Sequence, residues 1–333
     1  MSAETDARDG AAACPDRPSR PLDITVLMGG PSTEREVSLL SGTAIADALQ
    51  RRGHLVTRSD IAPNDTSALD RPGIDLVFIA LHGEFGESGE VQQLCELRGL
   101  PYTGSGPQAS ELAMDKAAAK QIFKRSGLGT PDWCIIEAFH SPEDYRRWLA
   151  DEFPPPVVVK PVAGGSSIDI TIARDKATRD EAVDTLVDKY GRVLVEKFVA
   201  GREFTVGVLG EQPLPVLQVV PTRDFYDYTA KYADGSGTQY LFEHGLDEAS
   251  VAALQAAALT AHRCMGCRDL SRVDIIRHAD GHLDVLDVNT IPGFTSHSLV
   301  PMAAAKAGIG FDELVDRIAA MAMKRSCGCP DRK

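Results

Sequence analysis

The stretch from Leu270 to Pro301, LSRVDIIRHADGHLDVLDVNTIPGFTSHSLVP, constrains this chain more than any other. Two apolar runs flank Asp280-Gly281, and a glycine that accepts the positive φ of a tight turn makes this a strong hairpin signal. Side chains alternate along a strand, so Arg272 and Asp274 share one face of the first strand, and Asp287 and Asn289 share one face of the second. The strands are otherwise apolar, with Val273, Ile275 and Ile276 in one and Leu283, Val285, Leu286 and Val288 in the other. Charge among apolar strands is costly unless it is paired or bound to a metal. Two carboxylates and an amide oxygen on facing strands suit a hard cation such as Mg²⁺, which takes oxygen ligands and keeps room for phosphate. A surface hairpin with solvated acids is the alternative. Beyond it, Pro292-Gly293 makes a turn before the hydroxyl-rich Thr295-Ser296-His297-Ser298.

A chain of 333 residues suggests two or three domains, and at 43% hydrophobic and 25% charged it has ample core material. No apolar run approaches a membrane span. The first 20 residues are small and polar, with no signal peptide apparent, and read as a disordered tail over 1–21. A net charge of −13 argues against nucleic-acid binding but leaves a local phosphate site open. Seven cysteines without a signal sequence suggest a reducing cytoplasm. Cys264 and Cys267 have CxxC spacing, and with Cys327 and Cys329 offer a zinc set. They also close an apolar helix, where buried cysteine is common.

Taken in order, Leu22–Met28 is an apolar strand, followed by Gly29-Gly30-Pro31-Ser32 and a helical pattern through Gln50. A glycine turn between strand and helix aims N–H groups at an anion or substrate. Ser32 or Thr33 is a candidate helix cap, with Glu36 completing a capping box. Glu34 then reads either as a first-turn acid favourable to the helix dipole or as a carboxylate at a pocket mouth, facing an ammonium. Ile74–Leu81 is a second buried strand, and it runs into the glycine-rich HGEFGESG loop beginning at His82, a ligand loop or a plain surface loop. The βα alternation to this point predicts a doubly wound unit. A helix over Ala109–Ser126 carries Lys116 and Lys120. Strands follow at Trp133–Glu137 and Val157–Lys160, with a helix over Pro142–Glu152 between them. Lys160 ends its strand just before Gly164-Gly165-Ser166-Ser167, a small donor-rich loop able to close over phosphates, although the P-loop pattern is absent. A snorkelling surface lysine is the other reading. Arg192–Val199 is a further strand, and Glu203 follows it at a position to accept from sugar hydroxyls or to stay exposed. Residues 221–243 carry four tyrosines and read as an ordered lid with Lys231-Tyr232 at its tip. Leu246–Cys264 and Phe311–Met323 are helices.

These motifs run together. MGGPSTEREVSL, ALHGEFGESG, LPYTGSG, MDK, VVKP…GSS, EKFVAGREFTV, FYDYTAKY, RVDI and DVNTIPGFTSHSLVP stand in the order found in D-alanine–D-alanine ligases of the ATP-grasp superfamily, and the chain resembles that family from Leu22 to Met323. The resemblance implies an α/β protein with a three-domain ATP-grasp fold. An N-terminal doubly wound substrate domain would span 22–106, a central ATP-grasp subdomain 107–199 and a C-terminal catalytic domain 200–324, with 325–333 a tail. It implies that Lys116, Lys160 and Ser167 contact ATP phosphates and that Lys231 reaches them from the lid. Glu196, Lys197 and Val199 would line the adenine site, and Glu203 would hold the ribose. Asp274, Asp287 and Asn289 would bind two Mg²⁺, with Mn²⁺ as a substitute. Glu34 would anchor the ammonium of the first D-alanine beside His82. Glu34, Ser166 and Tyr232 would form a hydrogen-bonded triad. Arg272 and the Gly293 backbone would stabilise the oxyanion, and Ser298 and Leu299 would meet the second D-alanine. A cytoplasmic homodimer, with no nucleic-acid or membrane partner, completes the expectation. Related ligases use D-serine or D-lactate as acceptor, and Tyr232 favours an amine; a weakly catalytic nucleotide-binding relative is the third reading.

Three positions depart from the family pattern. The phosphate loop, usually EGSSVG, lacks its acid at Gly164 and ends in Asp169 instead of glycine. Asp287 stands where a glutamate is usual, one methylene shorter. Asp169 is expected to bring negative charge and a Cβ toward phosphate, and Asp287 to weaken metal binding.

Overall fold

The computed structural model describes residues 20–165, 168–221 and 237–327. The LDITVLM run forms β1 (Asp23–Met28), the centre of a parallel sheet with β2 (Leu55–Asp60) and β3 (Leu76–Ile79) in the order β2-β1-β3. Helix α1 (Arg35–Arg51) covers this sheet, and α2 (Glu90–Leu97) follows the glycine-rich loop. The expected capping box does not form. Glu34 is itself the cap residue, without a side-chain cap bond, while the Ser32 hydroxyl donates to the His82 carbonyl at 2.6 Å and accepts from Glu34 N at 3.1 Å. The serine thus ties the first βα turn to the HGEFGESG loop rather than closing the helix.

The single helix expected over 109–126 is two, α3 (Pro107–Met114) and α4 (Lys116–Arg125). Asp115 divides them: its backbone is extended, and its carboxylate accepts from Ala118 N at 2.9 Å, a cap that starts a new helix. A four-stranded antiparallel sheet follows. It comprises β4 (Trp133–Glu137), β5 (Val157–Pro161), β6 (Thr171–Ala173) and β7 (Arg192–Lys197), in the order β4-β7-β5-β6. Helices α5 (Pro142–Glu152) and α6 (Lys176–Tyr190) complete its core around Leu149, Val159, Val183 and Val195. Strand β7 stops at Lys197, two residues before the expected end.

The last sheet contains β8 (Arg202–Leu209), β9 (Gln212–Pro213), β10 (Leu217–Val220) and β11 (Gln239–Leu241). The opening hairpin adds β12 (Leu270–Arg277) and β13 (Leu283–Asn289), and the order is β11-β10-β8-β12-β13 with β9 beside β8. Strand β11 takes up part of the stretch read as a lid. Helix α7 (Glu248–Cys264) packs with α4 on one face of this sheet, where Val273, Ile275, Val285 and Val288 are buried with Phe123, Leu254 and Ala258. Alternation therefore turns Arg272 and Asp274 to the opposite face. The register pairs Arg272 with Asn289 and Asp274 with Asp287, and a bulge follows at Asp274/Ile275. Helices α8 (Leu299–Lys306) and α9 (Phe311–Cys327) return to the first sheet, where Val300, Leu314 and Ile318 join the Ile24 and Val26 core. Helix α9 runs three residues into the stretch expected to be tail, and Arg325 NH2 donates to the Tyr102 carbonyl at 2.8 Å. Among the described residues, no helix is long and apolar enough to cross a membrane.

Candidate active site

A cavity of about 550 Å³ opens among the three sheets. Its walls include Glu34 at the N-cap of α1, Lys116 from α4, Lys160 from β5, the Gly164-Gly165 loop, Glu196 through Val199, Glu203, and Asp274, Asp287 and Asn289 of the hairpin. One hollow thus gathers a phosphate-type loop, two lysines and an acidic metal-type cluster from segments far apart in sequence.

The cationic side is built around a buried carboxylate. Lys160 Nζ donates to Glu196 Oε1 at 2.6 Å, and Lys120 Nζ lies 2.8 Å from Glu196 Oε2. Lys120 also donates to Thr130 Oγ1 at 2.8 Å and to the Pro131 carbonyl at 3.1 Å. All three charges are nearly sealed from solvent. Burial alone would raise Glu196, but Lys160 and Lys120 together hold it at about 2. Burial pushes Lys120 down to about 8 against the pull of Glu196. Glu196 therefore acts on Lys160, fixing the ammonium at the cavity wall. The sequence pattern assigns Lys120 no role in the site, although its spacing of one helical turn from Lys116 puts both on one face of α4. Lys116 closes the same wall, its Nζ donating to the Gly164 carbonyl at 2.6 Å. Lys197 is exposed and donates to Asp132 Oδ2 at 3.2 Å.

The departures in the loop have local reasons. Gly164 has φ +121°, which a side chain disfavours, and its carbonyl is the one that receives Lys116. Asp169 keeps a left-handed backbone, φ +56°, as the glycine it replaces would. Its carboxylate turns to the end of α6, accepting from Lys189 Nζ at 2.6 Å and from the Tyr190 hydroxyl. These bonds hold the Asp169 carboxyl below its usual range. The expected negative charge at the loop backbone is neutralised at α6 instead. Asp169→Gly and Asp169→Ala both lose these two partners, but the glycine relieves the left-handed strain that the alanine keeps, so Asp169→Gly is expected to be the more stable by about 1 kcal/mol. Urea midpoints of the two variants check the order.

On the hairpin, Asp274 is the hub. Its Oδ1 accepts from Thr205 Oγ1 at 2.7 Å and Arg272 Nε at 2.9 Å; its Oδ2 accepts from Arg272 NH2 at 2.7 Å and Asn289 Nδ2 at 3.3 Å. Asp287 Oδ1 accepts from Val288 N at 2.9 Å. The donor set that faces the cavity is all oxygen, two carboxylates and an amide, and fits Mg²⁺. Arg272 does not line the cavity and reaches it through Asp274.

The remaining expected residues are placed as follows. Glu34 is buried, and its Oε2 lies where a Cβ on Gly83 would be 2.9 Å away and one on Gly165 2.8 Å away. Both loops therefore close on this carboxylate by virtue of lacking side chains. His82 is buried outside the main cavity. Its ring nitrogens meet Ser41 Oγ at 2.9 Å and the Ile291 carbonyl at 3.0 Å, while Ser41 Oγ accepts from Phe294 N at 3.1 Å. His82 thus braces the turn that contains Gly293. Glu87, also absent from the expected set, lies 3.6 Å from His82 Nδ1; burial raises its carboxyl above the ordinary range. Ser298 Oγ accepts from Thr295 N at 2.9 Å at the start of α8, and Leu299 is buried with Leu217 and Val219. Neither these two nor Gly293 lines the main cavity. Ser166, Ser167, Lys231 and Tyr232 lie outside the described residues. Cys264 and Cys267 are free thiols whose acidity is lowered by burial, Cys267 to about 12.

A nucleotide-sized hollow between an antiparallel sheet with a glycine loop and a second sheet bearing paired acids defines the ATP-grasp class, and the comparisons bear this out. Residues 60–105 match the family described as D-ala D-ala ligase N-terminus, and 122–320 the one described as D-ala D-ala ligase C-terminus. A D-alanine–D-alanine ligase from Syntrophotalea carbinolica is 45% identical over 91% of this chain and 96% of its own. The VanG D-Ala:D-Ser ligase from Enterococcus faecalis superposes with a TM-score of 0.81 at 28% identity, over 91% of this chain and all of its own. The ATP complex of D-alanine–D-alanine ligase from Bacillus anthracis gives 0.77 at 29%, over 92% and 99%. The chain belongs to the D-alanine–D-alanine ligase family.

Proposed function

We propose that this protein joins two D-alanines at the expense of ATP, forming D-alanyl-D-alanine for peptidoglycan precursors. The observation that carries this reading is the convergence of Lys116, Lys160, Glu34 and the Asp274–Asp287–Asn289 set on one cavity. A carboxylate is a poor acyl donor. Transfer of the γ-phosphoryl group to the first D-alanine makes an acyl phosphate and ADP. The second amine then attacks the acyl carbon, the C–N bond forms, phosphate leaves and the amine loses a proton. Lys160, held by Glu196, and Lys116 offset phosphate charge during transfer. Magnesium, when bound by Asp274, Asp287 and Asn289, neutralises charge on the transferring group, and manganese substitutes for it. Glu34 receives the first ammonium. Arg272 and the Gly293 N–H serve the oxyanion, and Ser298 and Leu299 the second amino acid. Ser167 and Lys231 would contact the ATP phosphates, and Ser166 and Tyr232 would complete a hydrogen-bonded triad with Glu34; all four lie outside the described residues. Domains over 22–106, 107–199 and 200–324, a homodimer and a cytoplasmic location belong to the same reading.

The test is ATP consumption across D-alanine, D-serine and D-lactate, with products identified by mass. Phosphate release dependent on D-alanine is expected. No turnover with D-alanine at saturating Mg²⁺-ATP would overturn the reading. Preferential formation of D-alanyl-D-serine would instead favour the acceptor named for the Enterococcus relative.

Gly165→Ala carries a further expectation. Its Cβ would meet Glu34 Oε2 at 2.8 Å, so the flexible carboxylate must move away. The KM for the first D-alanine is expected to rise about tenfold, the equivalent of ~1.4 kcal/mol. Steady-state kinetics at fixed ATP measure it.

A further inference from the structure

The turn of the β12–β13 hairpin carries a second cluster that the ligase chemistry leaves unused. The segment HADGHLD joins the strands from His278 to Asp284. Its geometry is set by the backbone: His278 N donates to the His282 carbonyl at 2.9 Å, Gly281 N to the His278 carbonyl at 3.1 Å, and His282 N to Asp280 Oδ1 at 3.0 Å. Within this frame His278 Nε2 lies 2.8 Å from Asp284 Oδ2, and His282 Nε2 3.5 Å from Asp284 Oδ1. One ligand atom from each of the three lies within 4.8 Å of the others. A tetrahedral ion with bonds near 2.0–2.1 Å spaces its ligand atoms by about 3.3 Å, so these side chains stand close to ligand separation.

Two features distinguish this turn from two histidines beside an acid by chance. Asp284 is buried, and Lys120, the buried cation whose charge bears on it, is paired with Glu196. The wall opposite is Gly129. A Cβ there would lie 2.9 Å from His282 Nε2, 3.0 Å from Asp284 Oδ1 and 2.2 Å from the Leu283 carbonyl. The glycine admits the close approach of β13, whose Val285 N donates to its carbonyl at 2.8 Å, and leaves space at the two ligand atoms. On the outer side His282 is largely exposed, so an ion has a path in and a water can complete its shell.

We propose that His278, His282 and Asp284 form a site for a borderline transition metal of the zinc class, walled by Gly129. Two imidazoles and a carboxylate select such an ion over Mg²⁺, which takes oxygen ligands. Asp284 stands three residues before Asp287, about 10 Å along the strand, so one ion does not serve both clusters. A bound ion clamps the turn of the hairpin whose other end carries Asp274 and Asp287.

The experiment uses the full chain freed of metal by chelation, titrated with Zn²⁺ against a chromophoric indicator in millimolar Mg²⁺, which occupies the hairpin carboxylates. One equivalent is expected to bind. His282→Gln, at an exposed position, is expected to weaken binding by at least about tenfold, and Asp284→Asn to do the same. Zn²⁺ is expected to raise Tm in the parent but not in His282→Gln. Because the chain also carries cysteines, Co²⁺ is added to the parent, and its visible spectrum is expected to show tetrahedral nitrogen and oxygen ligation without sulfur charge transfer. No binding in Mg²⁺, unchanged affinity in His282→Gln, or a sulfur charge-transfer band would each overturn the proposal. ATP turnover with D-alanine in zinc-free His282→Gln at saturating Mg²⁺, expected at the parent level, keeps this outcome separate from that of the ligase reading.

Discussion

Glu196→Gln is expected to destabilise the protein by about 3–5 kcal/mol and to abolish most of its turnover. The carboxylate lies between two buried ammonium groups, at 2.6 Å from Lys160 and 2.8 Å from Lys120. An amide of the same shape leaves both cations in a poorly solvated wall without the carboxylate they contact directly. Breaking one partner of a buried ionic group costs far more than the intact group contributes. The pH dependence carries the same signature. Glu196 titrates at about 2 in the fold against an ordinary 4.5, so its contribution is complete above 4.5 and is lost as pH falls from 4.5 toward 2. Lys120 has the opposite effect. Its folded value of about 8 lies below the ordinary 10.5, so holding it charged opposes folding at neutral pH. That opposition fades as pH rises from 8 to 10.5. The parent should therefore lose stability in acid and gain from Lys120 in base. In Glu196→Gln the acid slope between 4.5 and 2 should flatten. Urea midpoints from pH 2.5 to 10 measure both limbs. A variant within 1 kcal/mol of the parent at pH 7 would mean that the ammonium groups find other partners or lose their protons at little cost.

That triad also marks where sequence reading stops. The hairpin was legible because its signals are local: Asp-Gly for the turn, and strict alternation that separates Val273 and Ile275 from Arg272 and Asp274. Parallel strands β1 and β3 were legible as continuous apolar runs. Strand β2 was not, since LVTRSD is exposed or half-exposed throughout, with Val56 alone of its aliphatic residues packed against the core of the first sheet. The break at Asp115 was hidden because an aspartate cap leaves the flanking helical periodicity intact. Motif order placed Lys160 and Glu196 in one site but gave them separate roles, on phosphate and on adenine. Their direct contact joins residues 36 apart, and Lys120 comes from still further away. Asp169 illustrates the same limit. Read alone it threatens a phosphate loop; its partners, Lys189 and Tyr190, lie twenty residues on at the end of a helix. Local patterns announce which residues carry charge, whereas the balance of that charge is decided by tertiary contacts.

The other large effect is expected at Asp274. Asp274→Asn should lower kcat by about a thousandfold while leaving the protein folded, the scale of ~4 kcal/mol of transition-state charge stabilisation. The argument begins with the register. Asp274 opposes Asp287, Arg272 opposes Asn289, and the face they share turns away from the α7 core. Asp274 receives Arg272 Nε and NH2, the Thr205 hydroxyl and the Asn289 amide. An asparagine keeps the volume but removes the negative charge and one of the oxygens proposed to hold Mg²⁺. It also removes the carboxylate charge that Arg272 Nε and NH2 meet, so the net positive charge near the cavity rises and attraction for ATP is not lowered. A fall in kcat with an unchanged or lower KM for ATP is therefore the expected split, and the Mg²⁺ concentration for half-maximal rate should rise. Asp287→Glu supplies the contrast. Asp287 already has one oxygen on its neighbour's amide, Val288 N at 2.9 Å, and the bulge after Asp274 displaces the strand beside it. An added methylene pushes the carboxylate toward the cavity, and a loss of no more than about tenfold is expected, with a shifted Mg²⁺ optimum. Equal losses in the two variants would show that the acids act as one indivisible unit. A full rate in Asp274→Asn would remove this hairpin from the chemistry altogether.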